Sequence, residues 1–407
     1  MKNRLHFALA TLGLAASLTL PTSAADFIVP SGQTVIYDTL LGPLSVDNFI
    51  IQPNAILKVL GPNPFVLNAK QGIVIDGILD LSGFDRPDIP TLSTGDQPEL
   101  GASGAAGGGA GGVGSFVTTT STPFGGSGFG GFQIVALGGS GGEAGHGSAF
   151  GPKDNYRGAG GGGGALGPNL PQQALPGVVG ITAQSGFDGG LGAKGVVFGF
   201  SPPQGGRPGP NLFLDSDPGN DFWGVKVNPV SGLVRIGELL RPSPGSGGGA
   251  GGDGVKSDVY PPISWTVGTD KKGCGGGGGG GLGLIKGRYI LVGAGGQVLA
   301  NGGSGGSGEN VTSTDHIGGG SGGGSGGYLV LQGGIIDLSQ AAPNCLSAVG
   351  GHGGKGKNGY ASTGAGGEGG AGIIQLHTKT PGKVILPLGS SVADMSIPNA
   401  HLLLPIL

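Results

Sequence analysis

The chain has 407 residues, a formal net charge of −3, and 11% charged against 37% hydrophobic residues. Charge this sparse, with no basic stripe, excludes a nucleic-acid partner, and the aliphatic content is the opposite of a disordered linker. One hundred glycines stand far above the ordinary share of about 7%, and because they come in runs rather than at every third position, collagen is excluded too.

Residues 1–25 read as a secretory signal peptide. Lys2 and Arg4 precede an apolar run from Phe7 to Leu20, and small residues follow at Thr22, Ser23, Ala24 and Ala25. The run is short for a membrane span, and no later stretch is long and apolar enough for one. The expectation is a secreted or cell-surface protein with no membrane span in the mature chain.

Residues 26–95 read as N-terminal β-helix-like strands, short aliphatic segments bounded by Gly, Pro, Asn or Asp. In "GIVIDGILDLSG" (72–83), Ile73, Ile75, Leu79 and Leu81 alternate, and Gly77 sits where a turn belongs. Positive φ would account for single glycines such as Gly77 and Gly293. A glycine-rich repeat region follows at 96–198. Residues 199–244 form an insertion rich in Pro and Asp that carries Trp223, and glycine-rich strand repeats resume at 245–390 before a tail at 391–407.

The repeat is plainest in "GRYILVGAGGQVLANGG" (287–303) and "GGYLVLQGGIIDLSQ" (326–340), which set Tyr289 and Tyr328 39 residues apart. "GAGIIQLHTKTPGKVILP" (370–387) is a third copy, and 130–139 and 177–186 are weaker echoes. Each good copy follows a glycine block. Such recurrence predicts stacked units, none able to bury its apolar face alone. Runs of five to seven glycines point to backbones packed too closely for a Cβ, as extended three-residue-per-turn chains bonded side by side would allow.

These phrases resemble secreted bacterial glycine-rich proteins with right-handed parallel β-helix repeats. The glycine runs are similar to those of polyglycine-II proteins such as phage tip adhesins and certain antifreeze proteins. The resemblance covers about two thirds of the mature chain. It implies an all-β, solenoid-like fold with packed polyglycine-II-like segments and a structural, adhesive or surface-binding role, and it hands over no catalytic residue.

Motifs that carry chemistry are thin. "GSGGSG" (303–308) lacks a βαβ context, "GHGGKGKN" (351–358) ends in Asn358 rather than Ser or Thr, and the G-x-S-x-G matches at Ser140, Ser304, Ser321 and Ser325 lie inside glycine runs. "DSDPGND" offers Asp215, Asp217 and Asp221 as candidate calcium ligands, although the spacing departs from the EF-hand loop. His146, His316, His352 and His377 are scattered and read as polar turn residues. Trp223 and Trp265 are candidate glycan-binding aromatics or the core of the insertion. Cys274 and Cys345 are a candidate disulfide.

For an enzyme acting on polysaccharides the candidate acids are Asp76, Asp80, Asp85 and Asp88. However, "ILDLS" (78–82) matches "IIDLS" (335–339), so Asp80 recurs as Asp337 and suits a structural position better than a catalytic one. The expectation is therefore a non-enzymatic structural or adhesive protein without a cofactor, calcium aside, that self-associates or binds cell-surface glycans. The alternatives are a polysaccharide lyase or hydrolase and a carbohydrate- or ice-binding module.

Overall fold

In the first part of the chain the alternation of aliphatic and polar residues becomes strand after strand. β1 (Phe27–Val29), β2 (Thr34–Asp38), β3 (Leu44–Ile51), β4 (Ile56–Leu60), β5 (Phe65–Ile75) and β6 (Ile78–Asp80) follow one another closely. Along β5, Phe65, Leu67, Ile73 and Ile75 are buried while their neighbours Val66, Asn68 and Val74 are less so. This is the period of two read from the sequence. The computed structural model describes residues 25–89, 98–114, 125–131, 145–147, 160–165, 206–209, 219–228, 231–256, 272–309, 318–355, 364–379 and 383–404.

After a long excursion the strands resume. β7 (Gly145–Gly147) pairs in parallel with β10 (Gly254–Lys256), and β8 (Val225–Val227) pairs with β9 (Val234–Ile236) as an antiparallel hairpin. Then come β11 (Leu282–Val292), β12 (Gln297–Leu299), β13 (Tyr328–Asp337), β14 (Leu346–Ser347), β15 (Ile373–His377), β16 (Val384–Ile385), α1 (Val392–Met395), β17 (Ser396–Ile397) and β18 (His401–Leu403).

Two parallel sheets take up most of these strands. One runs β1-β3-β5-β11-β13-β15-β18, with β16 also paired to β13; the other runs β17-β14-β12-β6-β4-β2. The inward side chains of both sheets form one core that includes Phe49, Leu57, Ile73, Leu79, Ile290, Val298, Ile336 and Leu346. Strands 5 and 11 are neighbours although residues 76–281 separate them, in a register that pairs Ile73 with Ile290.

This architecture corrects the expected right-handed parallel β-helix. Among the described residues the chain is mostly parallel β in two open sheets, with a single four-residue α-helix and no closed coil. The physical reason lies in the connections. From β11 onward, the path back to the first sheet runs through glycine blocks, which have no side chains with which to build another apolar wall.

The repeat is corrected as well. Tyr289 pairs with Ile335, whereas Tyr328 pairs with Leu282 and Ile373. Equivalent positions are therefore 46 and 45 residues apart, not 39. Asp80 and Asp337 are not equivalent either, since β6 and β13 belong to different sheets. The turn at Gly77 is where it was expected, but positive φ is not its cause. A Cβ there would lie 2.3 Å from the Ala55 carbonyl oxygen, so close approach of backbone demands the glycine.

The described glycine blocks bond to one another through their backbones, and the bonds recur at every third residue. Gly245, Gly248 and Gly251 donate to the carbonyls of Gly280, Gly277 and Cys274. Gly320, Gly323 and Gly326 donate to Gly364, Gly367 and Gly370, and Gly277 and Gly280 donate to Gly322 and Ser325. The blocks are buried, so these bonds satisfy polar groups that water does not reach. Gly278 sits near the middle; its Cβ would lie 2.0 Å from the Ser103 carbonyl oxygen.

Candidate functional site: a cationic cleft beside a buried histidine network

Strand β15 is buried on both faces. Ile374 and Leu376 point into the main core, while Ile373 joins Leu282, Tyr328 and Val330 in a second apolar cluster on the outer face. Trp223 and Leu239, both from the insertion, pack over this outer face. Gln375 and His377, two and four residues along from Ile373, are therefore fully buried polar side chains.

Their hydrogen bonds form a network. The Tyr328 hydroxyl donates to Gln375 Oε1, and the Trp223 backbone N–H donates to the same oxygen at 3.2 Å. Gln375 Nε2 donates to the Trp223 carbonyl at 2.7 Å and lies 3.0 Å from His377 Nε2. His377 Nδ1 meets the Leu404 carbonyl. That contact makes Nδ1 the protonated nitrogen, leaving Nε2 to accept from Gln375. Burial holds His377 below its ordinary pKa and raises Tyr328 far above its own. Neutral in both cases, the pair acts as a latch that fastens the insertion to the sheet. Phe222 is buried against the His401 ring, with centroids 5.6 Å apart. Burial first, then the nearby Lys226 charge, lowers the His401 pKa to about 4.

Beside this latch the β8–β9 hairpin and residues of the 392–402 segment border an open cleft of about 630 Å³. Its lining includes Lys226, Asn228, Leu233 and Arg235, all exposed residues of the hairpin, together with Val392, Ala400 and Leu402.

No family model, curated protein or solved structure matches this chain. The site must be read from its own residues.

Of the candidate calcium ligands, Asp221 is buried in the insertion beside Phe222, while Asp215 and Asp217 lie outside the described residues. No group of three or more His, Cys, Asp or Glu among the described residues could hold a metal ion. Trp223 is half-buried, with its ring centroid 6.4 Å from that of His377, so it serves as a lid on the latch; Trp265 lies outside the described residues.

The candidate disulfide is not formed, because both cysteines are buried free thiols. Cys274 Sγ approaches the Pro87 carbonyl and Cys345 Sγ the Met395 carbonyl, each at 3.5 Å. Burial pushes each thiol up to about 11. The two belong to separate environments, a glycine block and the core between the sheets.

The other sequence candidates have structural partners. Asp80 pairs with Lys58 at 2.9 Å. Asp85 and Asp88 accept from the Ser304 and Ser307 N–H groups at 2.7 Å each, docking an extended segment on a glycine block. Ser325 Oγ accepts from the Ser246 N–H and Ser321 Oγ from the Gly306 N–H, so both bond within the lattice. His377 is not the expected turn residue but the last residue of a buried strand. His352 is exposed beside Glu368 at 2.8 Å. His146 lies in β7, and His316 is outside the described residues. Sequence reasoning missed Gln375 and Tyr328. The available signal was the alternation in "IIQLH" (373–377), which places Ile373, Gln375 and His377 on one face. Among the described residues no helix is long and apolar enough to cross a membrane.

Proposed function

We propose that this is an exported structural or adhesive protein of the extracellular space or cell surface, which associates with copies of itself or with surface glycans. The observation that carries the reading is the first edge of both sheets. β1 and β2 are the terminal strands of their sheets, and among the described residues no strand pairs beyond them. Ile28, Ile36, Leu40 and Leu41 are exposed at this edge. An unpaired strand edge is a template for another strand, and apolar side chains around it favour association.

The glycine lattice supports the same reading. It commits much of the chain to a body built from backbone, suited to bearing load rather than shaping a catalytic cleft. Of the acids that an enzyme acting on polysaccharides would need, Asp80, Asp85 and Asp88 are engaged in holding segments together.

The test is sedimentation of the chain beginning at Asp26 over a range of concentrations, with a glycan array and a cell-surface binding assay alongside. Reversible assembly that Ile36→Lys abolishes supports the proposal. A monomer at every concentration that binds no glycan or cell surface overturns it.

A further inference from the structure

The two ends of the stacked sheets are unlike. At the first end, β1 and β2 leave one edge of each sheet unpaired among the described residues, with Ile28, Ile36, Leu40 and Leu41 exposed around it. The opposite end carries the β8–β9 hairpin. Phe222, just before β8, lies on the His401 ring of β18, and the Leu404 N–H donates to the Val225 carbonyl at 3.2 Å. β18 is six strand positions from β1 in their sheet, about 29 Å at the usual spacing of about 4.8 Å.

The hairpin is itself unfinished. β9 pairs only with β8 among the described residues, and a two-stranded ribbon is at best marginally stable alone. Alternation puts Val225, Val227, Val234 and Ile236 on one face and Lys226 and Arg235 on the other. Val225, Val234 and Ile236 are exposed, as are Leu233 just before β9 and Leu240 just after the hairpin. Aliphatic side chains clustered so openly mark an interaction surface.

Charge decides which surface it fits. Asp26 and Asp38 are the only charged residues from 25 to 42, the span that forms the first end. Residues 222–241 carry Lys226, Arg235 and Arg241 against Glu238 alone. Two first ends would set carboxylate against carboxylate, and two hairpins cation against cation, which is costly. A hairpin on a first end brings opposite charges together. This complementarity belongs to the net charge of each span and requires no single side chain to be without a partner.

We propose that copies of this chain join head to tail, the β8–β9 hairpin of one docking on the β1–β2 edge of the next. The inference rests on the self-associating reading above and specifies its contact. A joint between unlike surfaces leaves a fresh edge on every added copy, so growth runs on as a filament unless the rotation closes a ring. Because the two surfaces lie at opposite ends of the molecule, assembly passes the dimer.

The test uses two variants, each with one end disabled. Ile36→Lys puts a cation in the first end and Ile236→Glu a carboxylate in the hairpin. Both side chains are exposed in the parent, so both variants should melt like it. Sedimentation of the parent should show species larger than a dimer. Each variant alone should associate roughly tenfold or more weakly. Mixed, the two should associate one to one, since the Ile36→Lys chain still offers its hairpin and the Ile236→Glu chain its edge. That association also shows that both variants fold. Ile36→Asn and Ile236→Asn repeat the test without new charges that could pair with each other. A parent that assembles while the mixtures stay monomeric overturns the head-to-tail joint and leaves self-association standing. So does a parent that stops at a dimer, or either variant alone assembling like the parent. A parent that stays monomeric at every concentration removes self-association itself, and this joint with it.

Discussion

The strands before residue 80 and those after residue 282 build the same two sheets with different lengths of chain. Phe27 pairs with Phe49 and Phe49 with Ile73, steps of 22 and 24 residues. Beyond β11 the corresponding steps are 46 and 45 residues, and glycine blocks supply most of the added length. The sheet register survives this near doubling. It is therefore set by the stacked aliphatic side chains of the core, not by the distance along the chain between them. The two kinds of region also fill space differently. In the first, side chains interlock; in the second, backbone lies against backbone. Their vulnerabilities should be opposite, since the core suffers when atoms are removed and the lattice when they are added.

Phe49→Ala tests the first half of that contrast most severely. Phe49 is fully buried, and its ring stacks on Phe27 with centroids 5.5 Å apart. Truncation should cost about 3–5 kcal/mol, the usual range for emptying a buried aromatic site. Denaturant unfolding monitored in parallel with hydrogen exchange should show the loss concentrated in β1, β3 and β5. A loss shared equally with the glycine blocks would mean that the two regions are one cooperative unit.

Acid should separate the regions from the other direction. The described residues of the first region contain no histidine, whereas the outer face of β15 and β18 carries His377 and His401. His401 has a folded pKa of about 4 against an ordinary 6.5. Between those values the unfolded chain binds the proton and the folded chain does not, so stability is lost as pH falls from about 6.5 to about 4 and is constant below that. His377 is shifted in the same direction by burial. The total for His401 is of order 3 kcal/mol, from about 1.4 kcal/mol per pKa unit. Hydrogen exchange at pH 5 should show β15, β18 and the insertion loosening while β1–β5 stay protected. In His401→Asn the slope between pH 6.5 and 4 should shrink. An unchanged slope would remove His401 from the account.

Within the lattice, Gly278→Ala should cost about 1–3 kcal/mol or more, as overpacking does. The new Cβ would meet the Ser103 carbonyl oxygen at 2.0 Å and its carbon at 2.6 Å, and both belong to backbone that cannot rotate away. Gly72→Ala is the matched comparison, because its nearest neighbour is the Asn48 side-chain oxygen at 3.5 Å, an ordinary contact. Thermal melts of the pair should differ by several degrees. Equal melting temperatures would mean that the lattice yields, and the contrast between the regions would fail.

What the sequence revealed follows the range of the interactions involved. The turn at Gly77 was legible because alternation on both sides of it is local. The register was not. The eye aligns Tyr289 with Tyr328 because each follows a glycine, but pairing along strands of 10 and 11 residues is decided by all the aliphatic positions together, and it matches Tyr328 with Leu282. Gln375 and His377 alternate with Ile374 and Leu376 as a solvent-facing row would. Their burial depends on Trp223, 152 residues from Gln375 in the chain. The number of glycines was visible at once, but which block lies on which was not, because a run of identical residues carries no address.

The smallest effect tests whether the later strands also rely on side-chain pairs at their surface. The Tyr289 hydroxyl donates to Asp337 Oδ2 at 2.8 Å, linking β11 to β13. Burial alone would raise the Asp337 pKa, but hydrogen bonds from Ser339 and Tyr289 outweigh it and hold the carboxyl below its ordinary value. This contribution is present above the ordinary carboxylate pKa and is lost as pH falls through the lowered one. The Tyr289 pKa is raised, chiefly by the same bond, so the bond also weakens as pH climbs past the tyrosine range. Because the pair is largely solvated, Tyr289→Phe should cost only about 0.5 kcal/mol at neutral pH. The difference between parent and variant should vanish at strongly acidic pH, where Asp337 is protonated in both. A loss that persists there would mean that Tyr289 acts through packing of its ring against the strand, and the surface of the later strands would then resemble their core.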